Sequence, residues 1–195
     1  MQSSNLLDLL KSTGAMLEGH FLLTSGRHSN VYIEKFRILE NPDSLNKVCK
    51  SMSQVVKNNE IDLVLGAAVG GILIAGGVGR YLEKKHIFSE RVQSKMELRR
   101  GFSIKKGEKI VIVEDIVTTG GSVFELIRLA EKNESEIVHI INLVDRSIKG
   151  MDFGYPSSSI LHLPSESYMP NNCPLCEKGM PITQRGRTGK KIETV

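Results

Sequence analysis

A run of apolar residues ends at two adjacent carboxylates and a turn of small residues in IVIVEDIVTTGGSV, residues 110–123. Backbone N–H groups at the start of a helix have no partner within the helix, so a Gly- and Thr-rich turn that opens a helix can bind a phosphate. Taken alone, TTGGS fits a plain strand–helix turn with a Ser cap equally well. Glu114 and Asp115 favour a ligand, because carboxylates accept hydrogen bonds from sugar hydroxyls and stabilise developing positive charge. A ribose 5-phosphate that loses a leaving group at its anomeric carbon has all of these features.

The same stretch closely resembles the phosphoribosyl-pyrophosphate (PRPP) signature of type I phosphoribosyltransferases. The resemblance implies an α/β fold with a mostly parallel central sheet, flanking helices and a small hood subdomain. A second segment, LGAAVGG, resembles the loop of that family that binds the pyrophosphate through main-chain amides, at a cis peptide in relatives. Mg²⁺ is the implied cofactor, carried mainly by PRPP, and no protein ligand is assigned to it. The implied PRPP-binding residues are Glu114, Asp115, Ile116, Val117, Thr118, Thr119, Gly120, Gly121, Ser122, Val69 and Gly70.

From GHFLLTSGRHSNVYIEK through NLVDR to CPLC, the chain is similar to the members of that family whose base is orotate. Arg146 matches the residue that meets the orotate carboxylate, and Thr118 matches one that also touches orotate. A guanidinium forms a two-pronged pair with a planar carboxylate, which suits this role. The position of Arg146 at the carboxyl end of a strand favours it over a surface pair with Asp145. Thr24 stands where a Lys commonly precedes SGR, so that charge contact is either missing or supplied elsewhere.

The segment SERVQSKMELRRG, residues 89–101, matches the position of a mobile loop that closes over the active site of the neighbouring subunit in relatives. Arg91 and Lys95 keep the four-residue spacing of that loop, but no Asp-His-Gly follows them. The resemblance implies a homodimer in which Lys95 stabilises the leaving pyrophosphate, assisted by Arg91, Arg99 or Arg100, with Arg91 preferred. Glu114 and Asp115 are the other catalytic residues. A plain solvated loop is the alternative interpretation.

The implied reaction joins the ribose 5-phosphate of PRPP to orotate, giving orotidine 5′-phosphate and pyrophosphate in pyrimidine (UMP) synthesis. Two alternatives stay open. The first is a phosphoribosyltransferase that acts on another base, against which Arg146 argues, because purines and uracil have no carboxylate. The second is a non-catalytic PRPP-binding regulator, because such a protein could lack the Asp-His-Gly.

The elements that position these residues follow from the hydrophobic pattern. Residues 1–18 predict an amphipathic helix, and the segment from Gly19 predicts a hairpin or short strands. Pro42 predicts the start of a second helix. Short β-branched runs then alternate with helices, which predicts βαβ units with ligands at the carboxyl ends of the strands. One domain, 1–195, is expected: an N-terminal helix and hood segment (1–40), an α/β core (41–150), and an irregular C-terminal segment (151–195) with one strand at 160–163.

Composition limits the partners. The chain has 26 basic and 22 acidic residues, a net charge of +4, and the only basic cluster, residues 184–191, lies in a Gly-rich terminal stretch. We therefore expect small-molecule substrates and no nucleic acid. No segment has the length and apolarity of a membrane span, and the N-terminus lacks a basic start, so no membrane association is expected.

Three cysteines make no disulfide framework, which favours the reducing cytoplasm. Cys173 and Cys176 form one C-x-x-C; free thiols, a Cys₄ site shared across a dimer, and completion by His162 all stay open.

Overall fold

The computed structural model describes residues 3–23, 25–93, 95–164 and 166–185, which contain two β-sheets. The strands are β1 (Met16–Leu22), β2 (His28–Ile33), β3 (Leu63–Ala67), β4 (Lys85–Val92), β5 (Lys95–Leu98), β6 (Lys109–Val117), β7 (Glu136–Asp145), β8 (Ser157–His162) and β9 (Thr183–Gln184). The helices are α1 (Ser3–Ser12), α2 (Phe36–Leu39), α3 (Pro42–Val56), α4 (Gly70–Leu82), α5 (Gly121–Lys132) and α6 (Pro174–Glu177), with a 3-10 turn at Pro170–Asn172.

The larger sheet has the order β5-β4-β3-β6-β7-β8. All neighbours are parallel except β4 and β5, which form an antiparallel hairpin at one edge. Every residue of β3 is buried, as expected for a strand covered on both faces. The prediction of a mostly parallel sheet built from βαβ units is confirmed.

Two apolar cores lie on opposite faces of this sheet. Because successive side chains of a strand point to opposite faces, Val111 and Val113 of β6 join one core, while Ile110 and Ile112 join the other. Helices α1, α3 and α4 cover the first face and α5 covers the second. The carboxyl ends of the strands are thereby left open at one edge, where their loops emerge.

The predicted N-terminal helix is too long. Helix α1 ends at Ser12, and Gly14 adopts a positive φ of 67°, a conformation that side-chain-bearing residues rarely take. The chain turns there, and Met16 begins β1 instead of extending the helix. Leu6 and Leu10 nevertheless lie in the core, as the helical spacing predicted.

The smaller sheet, which we call the hood sheet, has the order β2-β1-β9. Strands β1 and β2 form the predicted antiparallel hairpin, and β9 adds in parallel from the far end of the chain. The predicted strand at 160–163 is longer than expected and forms β8 at the edge of the larger sheet. The C-terminal segment thus contributes to both sheets; the division of the chain at residues 40 and 150 stays a prediction. Residues 186–191 of the basic stretch lie outside the described residues.

None of the helices within the described ranges is both long and apolar enough to cross a lipid bilayer.

Candidate active site

Two buried carboxylates lie at the carboxyl end of β6. Glu114 and Asp115 are 6% and 3% exposed. The Glu114 Oε1 atom accepts the N–H of Asp115 at 3.0 Å, and Asp115 Oδ1 accepts the N–H of Ile116 at 2.6 Å. The other oxygen of Asp115, Oδ2, accepts a charge-assisted hydrogen bond from Lys35 Nζ at 2.6 Å. These contacts hold both side chains in fixed orientations before any ligand arrives.

The charge of this pair differs from the two bare negative charges that the sequence indicated. Burial, together with the smaller effect of the nearby Asp115 carboxylate, raises the pKa of Glu114 to about 8. Lys35 neutralises much of the charge of Asp115 by direct contact. A cationic or hydroxyl-bearing ligand would therefore meet one ion-paired carboxylate and one carboxyl group that readily gains or loses a proton.

The loop after β6 forms the predicted anion cradle, residues 118–122. Gly120 has a φ of 72° and caps α5, which begins at Gly121. A Cβ at position 120 would also come within 3.0 Å of the Phe153 ring, so the turn needs glycine on two counts. Thr118 and Thr119 are exposed and offer hydroxyl donors beside the helix N-terminus. The predicted strand–turn–helix geometry is confirmed, and the binding of a phosphate there stays a prediction.

The cradle and Glu114 line one cavity of about 480 Å³. Its lining combines the backbone N–H groups of the cradle with charged side chains of three elements. The residues that line it are Ala68, Arg91, Met96, Glu114, Ile116, Val117, Thr118, Thr119, Gly120, Gly121, Ser122, Val123 and Glu125. A larger cavity of about 740 Å³ lies between β5 and α5 and contains none of the cradle residues.

The loop between β3 and α4 approaches the carboxylates very closely at Gly70. A Cβ built on Gly70 would lie 1.7 Å from Asp115 Oδ2, a distance that no real structure tolerates. Gly66 has the same constraint against the backbone of Gly71, where a Cβ would lie 2.4 Å from the carbonyl oxygen. The Ala68–Val69 peptide bond is cis, as the resemblance implied, and Val69 is 63% exposed. Small residues in LGAAVGG therefore bring this backbone against the acids.

Residues 89–101, expected to form a loop, are largely the β4–β5 hairpin, and Ser94 at its tip lies outside the described residues. Arg91 donates from Nη1 and Nη2 to the two carboxylate oxygens of Glu125 at 3.0 and 2.6 Å, beside the cradle. Lys95 instead lines the 740 Å³ cavity. The structure therefore brings Arg91 to the predicted site and leaves Lys95 away from the cradle of its own chain.

Arg146 lies at the end of the neighbouring strand. Its N–H donates to the Val117 carbonyl at 2.8 Å, which fixes its backbone directly beside the cradle. Its Nη2 atom donates to the carbonyl of Val31 in the hood sheet at 3.0 Å. Asp145 accepts the N–H of Ser147. Burial lowers the pKa of Arg146, and the nearby Tyr32 opposes that change.

Lys35 is the functional candidate that sequence reasoning missed. It follows the β1–β2 hairpin, lies 80 residues from its partner Asp115, and carries no motif of its own. Thr24, the position at which a family lysine is absent, lies outside the described residues. The only available signal for Lys35 was a basic residue directly after the hood segment, which is too common to single out.

The fold and the cavity together match a known class. The phosphoribosyl transferase domain matches residues 36–156, and the chain belongs to that family. It is 40% identical over 190 residues to an orotate phosphoribosyltransferase of Caldicellulosiruptor bescii, an alignment that covers 97% of this chain and 100% of that protein. It is 41% identical over 184 residues to the orotate phosphoribosyltransferase of Thermotoga maritima, covering 94% of this chain and 98% of that one. The crystal structure of the orotate phosphoribosyltransferase from Aeropyrum pernix aligns with a TM-score of 0.66 and 29% identity over 81% of this chain and 93% of that chain. The predicted family and type I phosphoribosyltransferase fold are confirmed.

Proposed function

We propose that the protein is an orotate phosphoribosyltransferase, which transfers the ribose 5-phosphate of PRPP to orotate in pyrimidine synthesis. The observation that carries the assignment is one cavity that is lined both by the cradle, residues 118–122, and by the buried Glu114, whose neighbour Asp115 is also buried. The full-length similarity to proteins of that name supports the choice of base.

The 5-phosphate of PRPP accepts hydrogen bonds from the backbone N–H groups at the start of α5 and from the hydroxyl groups of Thr118, Thr119 and Ser122. The ribose hydroxyls donate to Glu114 and Asp115. As pyrophosphate leaves the anomeric carbon, the sugar gains positive charge, and the carboxylates stabilise that charge more in the transition state than in the ground state. The protein contributes position and charge, with no covalent intermediate on a side chain.

The pyrophosphate lies against the backbone of the loop that contains Val69 and Gly70. Gly70 lets this backbone come within contact distance of Asp115, so the leaving group and the sugar are held by adjacent elements. Mg²⁺ fits this site because the nearby side chains offer carboxylate oxygens, the ligands a hard cation prefers. When bound with PRPP, it neutralises charge on the pyrophosphate.

Orotate is held by Arg146 and Thr118. Arg146 is half-buried, so a base without a carboxylate would leave a desolvated cation poorly matched, which rejects that base. The hydrogen bond from Arg146 to Val31 links the base site to the hood sheet, which would cover the bound base.

The assignment is tested by adding PRPP and Mg²⁺ to the purified chain with orotate and recording the loss of orotate absorbance, with uracil and adenine as alternative bases. We expect turnover with orotate alone, and stoichiometric release of pyrophosphate. Turnover only with another base would assign a different phosphoribosyltransferase. PRPP binding without turnover of any base would make the protein a regulator and overturn the proposal.

We also propose that the protein is a homodimer in which residues 89–101 of one subunit act on the active site of the other. We further propose that it resides in the cytoplasm. The position of Lys95, away from the cradle of its own chain, supports action on a partner. The three cysteines are unbonded, which fits a reducing compartment.

The dimer is tested by mixing two inactive variants, Lys95→Ala and Glu114→Gln/Asp115→Asn, after dissociation and reassembly. If Lys95 serves the other subunit, half of the sites in mixed dimers are intact, and activity returns to about a quarter of the parental value at equal mixing. If no activity returns although mixed dimers form, Lys95 acts on its own subunit.

A further inference from the structure

Four side chains with metal-binding atoms meet at the edge of the hood sheet, apart from the cavity described above. His20 belongs to β1 and His28 to β2, while Cys173 and Cys176 flank and enter α6. One ligand atom from each lies within 4.8 Å of all the others. None of the four lines the cradle, so the proposed transferase chemistry gives no reason for this cluster.

The separations match a tetrahedral site. His20 Nε2 lies 3.0 Å from His28 Nδ1, and Cys176 Sγ lies 3.4 Å from the same His28 atom. The sulfur atoms of Cys173 and Cys176 lie 3.6 and 3.8 Å from His20 Nε2. Four ligands placed tetrahedrally around Zn²⁺, with Zn–N near 2.0 Å and Zn–S near 2.3 Å, are separated by roughly 3.3–3.8 Å. Of these four separations, the His20–His28 distance is the one that must open, by a few tenths of an ångström, and all six lie within 4.8 Å.

The orientation of His20 points in the same direction. Its Nδ1 atom lies 2.8 Å from the carbonyl oxygen of Met180. A carbonyl oxygen can only accept, so Nδ1 carries the proton and Nε2 presents its lone pair to the cluster. Metal-binding histidines usually have this arrangement, in which the second ring nitrogen donates to a carbonyl or carboxylate that fixes the ring.

Burial favours one shared ligand at the centre of the cluster. His20, His28 and Cys173 are 2%, 4% and 1% exposed, and Cys176 alone reaches solvent. Two thiol protons are enough to pair with two imidazole lone pairs, so the convergence of all four ligand atoms on one point, and not a shortage of protons, favours a cation. A cation at the centre uses every one of these lone pairs.

We propose that His20, His28, Cys173 and Cys176 form a structural Zn²⁺ site. A Cys₂His₂ set is typical of zinc, and four protein ligands leave no open position for a substrate or a reactive water. The two alternatives that the C-x-x-C left open are less suitable: His162 instead contacts the Ser147 carbonyl at 2.9 Å, and no second chain is needed to complete the set.

The ion would connect the β1–β2 hairpin to the C-terminal segment. The two histidines lie on neighbouring strands, and Cys176 lies 156 and 148 residues further along the chain than His20 and His28. The His28–Tyr168 bridge, the β1–β9 pairing and the hydrogen bonds from Arg27 to Ser167 also link these segments. β2 continues to Val31, whose carbonyl contacts Arg146, so the ion would also steady one wall of the base site.

The test starts from untagged protein expressed with added zinc and purified without chelators. We expect about one zinc ion per chain by elemental analysis, and less than about 0.2 in Cys176→Ser or in His20→Ala/His28→Ala. Cys176→Ser is the informative variant because that side chain is exposed and its loss leaves the packing intact. Matched controls are Cys49→Ala and His162→Ala, which should retain the full zinc content.

Replacement of zinc by Co²⁺ gives a second measurement that does not depend on activity. The parental chain should show the intense visible bands of a tetrahedral Co²⁺ ion and thiolate-to-Co²⁺ charge-transfer absorption, and Cys176→Ser should lose part of the charge-transfer intensity. Removal of the ion with a strong chelator should lower the melting temperature by roughly 5 °C or more, reversed by adding zinc. Parental protein without zinc, with the two cysteines recovered as free thiols or as a Cys173–Cys176 disulfide, would overturn the proposal.

Discussion

The cradle and the hood sheet hold ligand-binding groups in opposite ways. The cradle and the two acids are contiguous in the chain: residues 114–122 supply carboxylates, backbone N–H groups and hydroxyls from the end of β6 and the turn before α5. The hood sheet and the residues directly after it contact the site from distant parts of the chain: Val31 contacts Arg146, and Lys35 contacts Asp115. In one region local chain geometry creates the site, and in the other only the tertiary fold does.

This difference predicts how each region responds to change. A contiguous cradle keeps its geometry as long as β6 and α5 form, so a substitution there changes chemistry more than stability. The hood contacts depend on the alignment of separate elements, so a substitution there changes ligand affinity through position. The predictions below test this division, beginning with the largest effect.

The double variant Glu114→Gln/Asp115→Asn should show the largest loss of turnover. The amides keep the shape of both side chains but cannot stabilise positive charge on the ribose, and we expect kcat to fall by about 10³-fold. The melting temperature should change by only a few degrees, measured by calorimetry. Asp8→Asn, on the exposed side of α1, is the matched control and should leave both values unchanged. A folded double variant with near-parental turnover would contradict the role of the acids.

The next largest loss of activity is expected at Gly70, where α4 approaches Asp115. Gly70→Ala places a methyl group on Asp115 Oδ2, which must move and lose its contact with Lys35. We expect kcat/KM to fall by about 10–100-fold, because a displacement of about 1 Å at a catalytic group has that cost. Steady-state kinetics with varied PRPP measures it.

Gly76→Ala on the same helix is the control, since its Cβ would lie 3.8 Å from the nearest atom, in the His86 ring. It should keep activity and gain roughly 0.5–1 kcal/mol of stability from better helix propensity. Equal kinetics for the two variants would contradict the close approach of α4 to the acids.

The features that the sequence predicts are those formed by contiguous residues, and the features that it does not predict are contacts between distant segments. The strand β6 and the cradle could be predicted, because an unbroken apolar run and turn chemistry are local properties. Residues 89–101 were expected as a loop because this part of the β4–β5 hairpin is charged and partly exposed, which hides the strand pattern. The contact of Lys35 with Asp115 and the meeting of His20 with Cys173 could not be predicted, because each depends on how remote segments pack. A glycine at position 14 is also a weak signal, yet it decides where α1 ends.

Arg146→Lys tests the hood side of the comparison. Lysine keeps the charge but loses the planar fork and the contact with Val31, so the carboxylate of orotate is held by one hydrogen bond instead of two. A lost hydrogen bond to a charged group costs about 1.5–3 kcal/mol, which predicts a rise of about 10–100-fold in the KM for orotate. The KM for PRPP should change by less than about twofold, because the cradle is separate. Arg37→Lys is the control, because Arg37 forms an exposed ion pair with Glu40. An equal rise in both KM values for Arg146→Lys would contradict the separation of the base site from the cradle.

The smallest effect concerns the stability of the cradle side at different pH values. The pKa of Glu114 is raised to about 8 in the folded protein, mainly by burial, while an unfolded glutamate has a pKa of about 4.3. Between these values the folded protein binds more protons than the unfolded chain, so its stability falls as the pH rises through this window. Glu114→Gln removes the titrating group and with it this part of the pH dependence.

We therefore expect the free energy of unfolding of Glu114→Gln, relative to the parent, to increase by about 1 kcal/mol or more between about pH 5 and pH 8, since one pKa unit corresponds to 1.36 kcal/mol. Urea unfolding at several pH values measures it, and the exposed Glu97→Gln should show no such trend. A difference that stays constant with pH would mean that Glu114 is already ionised in the folded protein. The contiguous cradle would then hold two full charges, and its carboxylates would need contacts from the hood side, beginning with Lys35, to be stable at all.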